Sequence, residues 1–185
     1  MKTITLKGRE IPLYYSTYEL KTLQEEIGPM QEAIRKVLGR GAEDDDTSRF
    51  GSAEHLGAAA KLIRILGNAG LEEAGEVPDL TDKKVLRAIK PGEMVEMVSV
   101  CLDVMNEAMA SEIPPKENAG PVDVTLEEIN KKKRSNRLTY LMVVSFGLIA
   151  GLTVEEIHRM KPGQVIDLFI YRRNYDDVQH GIMRE

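Results

Sequence analysis

One segment of the chain occurs twice, and this constrains the fold more than anything else in the sequence. Leu80-Thr81-Asp82-Lys83-Lys84-Val85-Leu86-Arg87-Ala88-Ile89-Lys90-Pro91-Gly92-Glu93-Met94-Val95-Glu96-Met97-Val98 aligns with the run from Leu152-Thr153-Val154-Glu155-Glu156-Ile157 through Lys161-Pro162-Gly163-Gln164-Val165 to Phe169, with one residue dropped before the Lys-Pro-Gly. In each copy a Thr hydroxyl can satisfy the first free N–H groups of a short helix, and Pro suits the start of a second helix. The chain is therefore expected to hold two helical hairpins, each a short capped helix, a Pro-Gly corner and a longer helix. Two copies are too few for a solenoid.

The first sixteen residues read differently. Ile4 and Leu6, then the polar corner Lys7-Gly8-Arg9-Glu10, then Ile11, Leu13 and Tyr15 alternate as two short strands, with Pro12 marking an edge. A lone hairpin is marginal, so helices must cover it. From Thr17, whose hydroxyl is placed to cap, Leu20, Leu23 and Ile27 follow a helical period. Gly28-Pro29 starts a second helix with Met30, Ala33, Ile34, Val37 and Leu38 on one stripe. Ser52 opens a third, running to about Asn68, with Leu56, Ala59, Ala60, Ile63 and Leu66 inward; Gly57 and the three alanines after it would let a neighbour approach closely. The expected class is mainly α: an N-terminal β-hairpin, a helical bundle, then a C-terminal helical extension. Three of the eight prolines fall between Ile113 and Pro121, placing a linker at 113–124 between domains 1–112 and 125–185. Thr125-Leu126-Glu127-Glu128 has capping-box spacing for a long helix towards Ala150.

Charge sharpens this division. Residues 1–120 carry 15 basic and 21 acidic side chains, whereas 121–185 carry 10 and 9. A net charge of −5 argues against a nucleic-acid protein, because a phosphate backbone would be repelled. With Cys101 as the only cysteine, an internal disulfide is excluded and a reducing, cytosolic setting is expected. The opening Met1-Lys2-Thr3-Ile4-Thr5-Leu6-Lys7 lacks the apolar run of a secretory signal. Leu138 to Val154 is free of charge for seventeen residues, short of the ~20 needed to span a bilayer, and reads as a buried central helix.

Signatures of catalysis are missing from the sequence. Gly39 and Gly41 have the first spacing of a dinucleotide loop, but Asp44 stands where the third glycine belongs; there is no Gly-x-Ser-x-Gly and no His-Glu-x-x-His. Glu43, Asp44, Asp45 and Asp46 lack the ligand spacing of a calcium loop, and Asp176, Asp177 and His180 read as surface charges. No catalytic residue, metal or cofactor is assigned. The candidates are for partner binding: Met94, Met97, Met105 and Met109, a stripe equally readable as core; the basic cluster Lys131, Lys132, Lys133, Arg134 and Arg137; and Tyr171, Arg172, Arg173 and Tyr175, residue types favoured as interface anchors.

Phe146-Gly147-Leu148-Ile149-Ala150-Gly151-Leu152-Thr153-Val154-Glu155-Glu156-Ile157, followed by Lys161-Pro162-Gly163-Gln164-Val165-Ile166-Asp167-Leu168 and the Tyr171-Arg172 region, resembles the C-terminal part of tail assembly chaperones from long-tailed bacteriophages and prophages of Gram-positive bacteria. The hairpin and following helices look like the N-terminal domain of the same family. The resemblance implies a non-enzymatic protein of the bacterial cytoplasm, absent from the mature virion. Its front domain would coat the tape-measure protein, with a helix lying in a groove as the expected mode, and its extension would recruit tail-tube subunits. It also implies a short and a long product related by ribosomal frameshifting near the linker, where Lys131-Lys132-Lys133 could be encoded by slippery codons. A homo-oligomer is compatible with this role, whereas membrane and nucleic-acid partners are not expected. The rivals are a helix-turn-helix DNA-binding regulator built on Val154 to Tyr175, and an enzyme with an unrecognised carboxylate site.

Overall fold

The computed structural model describes residues 1–41, 49–110, 128–129, 131 and 138–179, with the backbone alone at 91 and 174–179. Among these residues the chain is mainly helical, with one two-stranded hairpin at its start and eight helices after it. It packs as two compact units, one of residues 1–15 and 19–107, the other of residues 16–18 and 108–185. The expected linker 113–124 is outside the described residues.

In the first unit β1 (Thr3–Leu6) and β2 (Arg9–Pro12) pair antiparallel, Ile4 opposite Ile11 and Leu6 opposite Arg9. Lys7 and Gly8 alone make the turn, with φ of 50° and 82°. Both are left-handed, the backbone of a two-residue turn whose twist matches the strands, so Arg9 and Glu10 join β2 rather than the corner. Ile4, Leu6 and Ile11 point into the core. Helices α1 (Thr17–Glu26), α2 (Met30–Val37), α3 (Ala53–Glu73), α4 (Asp82–Ala88) and α5 (Pro91–Met109) follow.

Helix α3 organises this unit. Ser52 Oγ accepts from the His55 N–H at 3.2 Å and caps it as expected. The helix passes Asn68, and the glycines on which it meets neighbours are Gly67, against the Leu80 and Ile11 side chains, and Gly70, against main chain, whereas Gly57 faces open space. A Cβ on Gly70 would run into the Pro12 carbonyl, and Tyr14 N–H donates to the Leu66 carbonyl at 3.1 Å, so α3 covers the outer edge of β2. Ala58, Ala59, Ala60, Ile63 and Leu66 are buried.

The second unit contains α6 (Tyr140–Ile149), α7 (Val154–Arg159) and α8 (Pro162–Gln179). The long helix expected from Thr125 to Ala150 is not continuous: Glu128 and Ile129 are helical, but Leu138 and Thr139 are not. Thr139 Oγ1 accepts from Met142 N–H at 3.3 Å, and this side-chain bond starts α6 afresh. Thr17 also departs from expectation. Its hydroxyl donates to the Met160 carbonyl at 2.9 Å instead of capping α1, and Ser16 Oγ accepts from Tyr18 N–H at 3.1 Å in its place.

Both copies of the repeat form the expected pair of helices. Thr81 Oγ1 accepts from Lys84 N–H at 3.2 Å and Thr153 Oγ1 from Glu156 N–H at 3.3 Å. At the corners Lys90 N–H donates to Glu93 Oε2 at 3.3 Å and Lys161 N–H to Gln164 Oε1 at 3.1 Å, so the same reach-back bond opens α5 and α8. The aligned pairs Val85 and Ile157, Met94 and Val165, and Val98 and Phe169 are all buried, each within its own unit.

Candidate partner-binding surfaces

In the first unit a cleft of about 740 Å³ opens between β1 and the α4–α5 corner. Thr3 and Thr5 form one wall, and Ile89, Met97 and Val100 give the other its apolar character. Lys7, Gly8, Arg87 and Lys90 surround one end, and Glu93 and Glu96 line the side of α5. At the opposite end Lys2 Nζ reaches Asp103 at 3.4 Å and Glu107 at 2.7 Å, contacts that raise the Lys2 pKa, the Glu107 hydrogen bond most. Strand β1 therefore runs antiparallel to α5 along the cleft. The hairpin and both helices were legible in the sequence; that their junction leaves a cleft was not, because it depends on tertiary packing.

In the second unit α6 is not the buried central helix its composition led us to expect. Val143 and Gly147 are buried, but Leu141, Ile149 and Leu148 are 71%, 61% and 52% exposed. The helix carries no charge on any side, and among the described residues only one side of it is covered. That side packs tightly: a Cβ on Gly147 would run into Ile157, and the Phe146 and Phe169 rings stack at 4.7 Å. Tyr171, one of the anticipated anchors, is 68% exposed on α8, and Leu168 is also exposed.

The other anticipated residues separate. Met94 and Met105 are core side chains of the first unit, so the methionine stripe does not form an open surface; Met97 lines the cleft and Met109 is half-buried. The physical reason is that α5 is the inner helix of its corner, so its 3.6-residue stripe faces the core, and Cys101 lies on the same stripe. Arg172 and Arg173 are exposed, and Lys131 is exposed on a helical turn. Lys132, Lys133, Arg134 and Arg137 lie outside the described residues, as do the acidic group 43–46, His180 and the side chains of Tyr175, Asp176 and Asp177.

Three titratable groups have clear environments. Burial pushes the Cys101 thiol up to about 12, the value of an inert apolar residue. The Tyr15 hydroxyl is raised above its usual range, chiefly by burial, and has no hydrogen-bond partner among the described residues. His55 is held below the usual imidazole value by burial, partly offset by its bond to the Val37 carbonyl. Its Nδ1 accepts from Gly51 N–H at 2.9 Å, which places the proton of the neutral ring on Nε2. A further cluster, not legible from sequence because its members are far apart in the chain, joins the Tyr140 hydroxyl to His158 Nε2 at 2.7 Å, with the Tyr18 ring edge-on to the same imidazole at 5.5 Å. No helix among the described residues is long and apolar enough to cross a membrane.

Known family models, curated protein sequences and solved structures yield no match to this chain.

Proposed function

We infer that the chain is a chaperone of phage tail assembly that serves two partners, the tape-measure protein on the first unit and tail-tube subunits on the second. The observation that carries this reading is α6, which keeps Leu141, Leu148 and Ile149 in solvent on a helix without a charged residue. Contiguous exposed apolar surface of this kind marks protein–protein contact. Of these, Leu148 and Ile149 fall within the segment whose sequence resembles the tail-tube-recruiting extension of these chaperones. The first unit supplies a separate cleft, so neither partner need compete with the other.

Co-expression with the tape-measure product of the same gene cluster tests the first half, and the two are expected to coprecipitate; failure to do so would sink the reading. For the second half, Leu148→Glu should abolish capture of tail-tube subunits while the tape-measure protein is retained. Loss of both together would show that α6 is needed for folding rather than recruitment.

A further inference from the structure

We propose that the cleft beside β1 takes an extended segment of a partner polypeptide, acidic at one end, which adds to β1 as a third strand. This goes beyond the chaperone reading, since any polypeptide carrying such a segment would serve.

The main chain makes the first argument. Leu13 N–H donates to the Lys2 carbonyl at 2.9 Å, so in this register Lys2–Leu13, Ile4–Ile11 and Leu6–Arg9 are the hydrogen-bonded pairs. Thr3 and Thr5 then turn their N–H and C=O groups away from β2. Pro12, which has no N–H to give, stands opposite Thr3, as that register requires. The outer edge of β2 is closed by α3, but the groups of Thr3 and Thr5 meet no hydrogen-bond partner among the described residues. Exposed edges are usually blunted by charge or covered. This one faces the cleft between β1 and the α4–α5 corner.

Charge makes the second argument and fixes the chemistry of the occupant. Lys90 is paired with Glu93 at 3.6 Å, while Lys7 and Arg87, at the turn end of the cleft, have no anionic partner among the described residues. Two such cations in an acidic half of the chain call for a carboxylate. Glu96, further along α5 beside Met97, disfavours acid deeper in the cleft, so the acidic residues belong at the turn end and apolar ones against Met97 and Val100. Main-chain bonds would supply affinity and alternate side chains specificity, as in other strand additions.

The test uses the full chain and two fluorescent, N-acetylated six-residue peptides, two glutamates or two lysines followed by threonine and valine alternating over four positions, so that in antiparallel addition the charged end lies at the turn. Anisotropy should show the glutamate peptide binding at least tenfold more tightly, with its Thr3 and Thr5 amides exchanging more slowly when bound. Thr5→Pro removes an outward N–H without touching the ladder, and should weaken binding at least tenfold; Arg87→Glu should transfer preference to the lysine peptide. If Thr5→Pro is misfolded by its melting curve, amide exchange of the unaltered chain decides. Equal binding of both peptides overturns the charge argument, and binding that leaves Thr3 and Thr5 exchange unchanged overturns strand addition. If neither peptide binds, the proposal fails, and sedimentation that shows Thr5→Pro breaking self-association would assign the edge to a second copy.

Discussion

Helix α3 offers a sharp internal comparison, because Gly57 and Gly70 lie on one helix in opposite surroundings. A Cβ at residue 70 would overlap the Pro12 carbonyl and crowd the Leu13 nitrogen, whereas at residue 57 it would meet nothing within 4 Å. Alanine in place of a mid-helix glycine contributes about 1 kcal/mol through propensity alone. Gly57→Ala should therefore stabilise the protein by about that amount. Gly70→Ala receives the same gain, but the obstacle is main chain, which cannot rotate aside as a side chain can. Strand β2 must move off α3, stretching the Tyr14 to Leu66 bond, and overpacking against main chain belongs at the upper end of the usual range, about 2–3 kcal/mol. The net expectation is a loss of about 1–2 kcal/mol. In a domain of about 100 residues each kcal/mol is worth roughly 4–8 °C in Tm, so calorimetry should separate the two variants by more than 8 °C. If Gly70→Ala melts at or above the parent temperature, the close approach of α3 to β2 is refuted.

Tyr15→Phe removes a buried hydroxyl without a partner among the described residues and should be stabilising by about 1 kcal/mol in urea melts; a clear loss would reveal a partner for it. His55 has a folded pKa below its unfolded value of 6.5, so its contribution is fully present above that pH and declines as pH falls through the folded pKa. Between pH 7.5 and 5 the parent should therefore lose more Tm than His55→Gln, and equal losses would count against the neutral-ring assignment. Cys101 should resist iodoacetamide at pH 8 in the folded protein and react fully once denatured, because burial keeps it a thiol.

Features fixed by local chemistry were legible in the sequence. Thr81, Thr153 and Ser52 cap the helices they were expected to cap, and Pro91 and Pro162 open theirs, because these signals act over three or four residues. What depended on distant partners was not. Thr17 is as good a local cap as Ser52, yet its hydroxyl goes to Met160, 143 positions away. Helix α3 continues past Asn68 to Glu73, and Gly70 within that last stretch serves as a contact with Pro12. Thr139 was passed over inside an apolar run without periodicity, and the same lack of periodicity hid which side of α6 would face solvent. For the cleft, the sequence offered Met97 among four methionines, and only packing distinguishes it from Met94 and Met105.

Residues 16–18 belong to the second unit although most of the chain lies between them and its helices. Ser16 and Thr17 give their hydroxyls to the His158 and Met160 carbonyls, and both side chains are buried. Scission between residues 110 and 138 would therefore not yield two self-sufficient pieces. The N-terminal product would display a tripeptide plug with nothing to enter, and the C-terminal product would carry an empty socket. Such halves have the properties of a split protein, and a shorter translation product of this chain would differ from the longer one in what it leaves uncovered as well as in what it lacks.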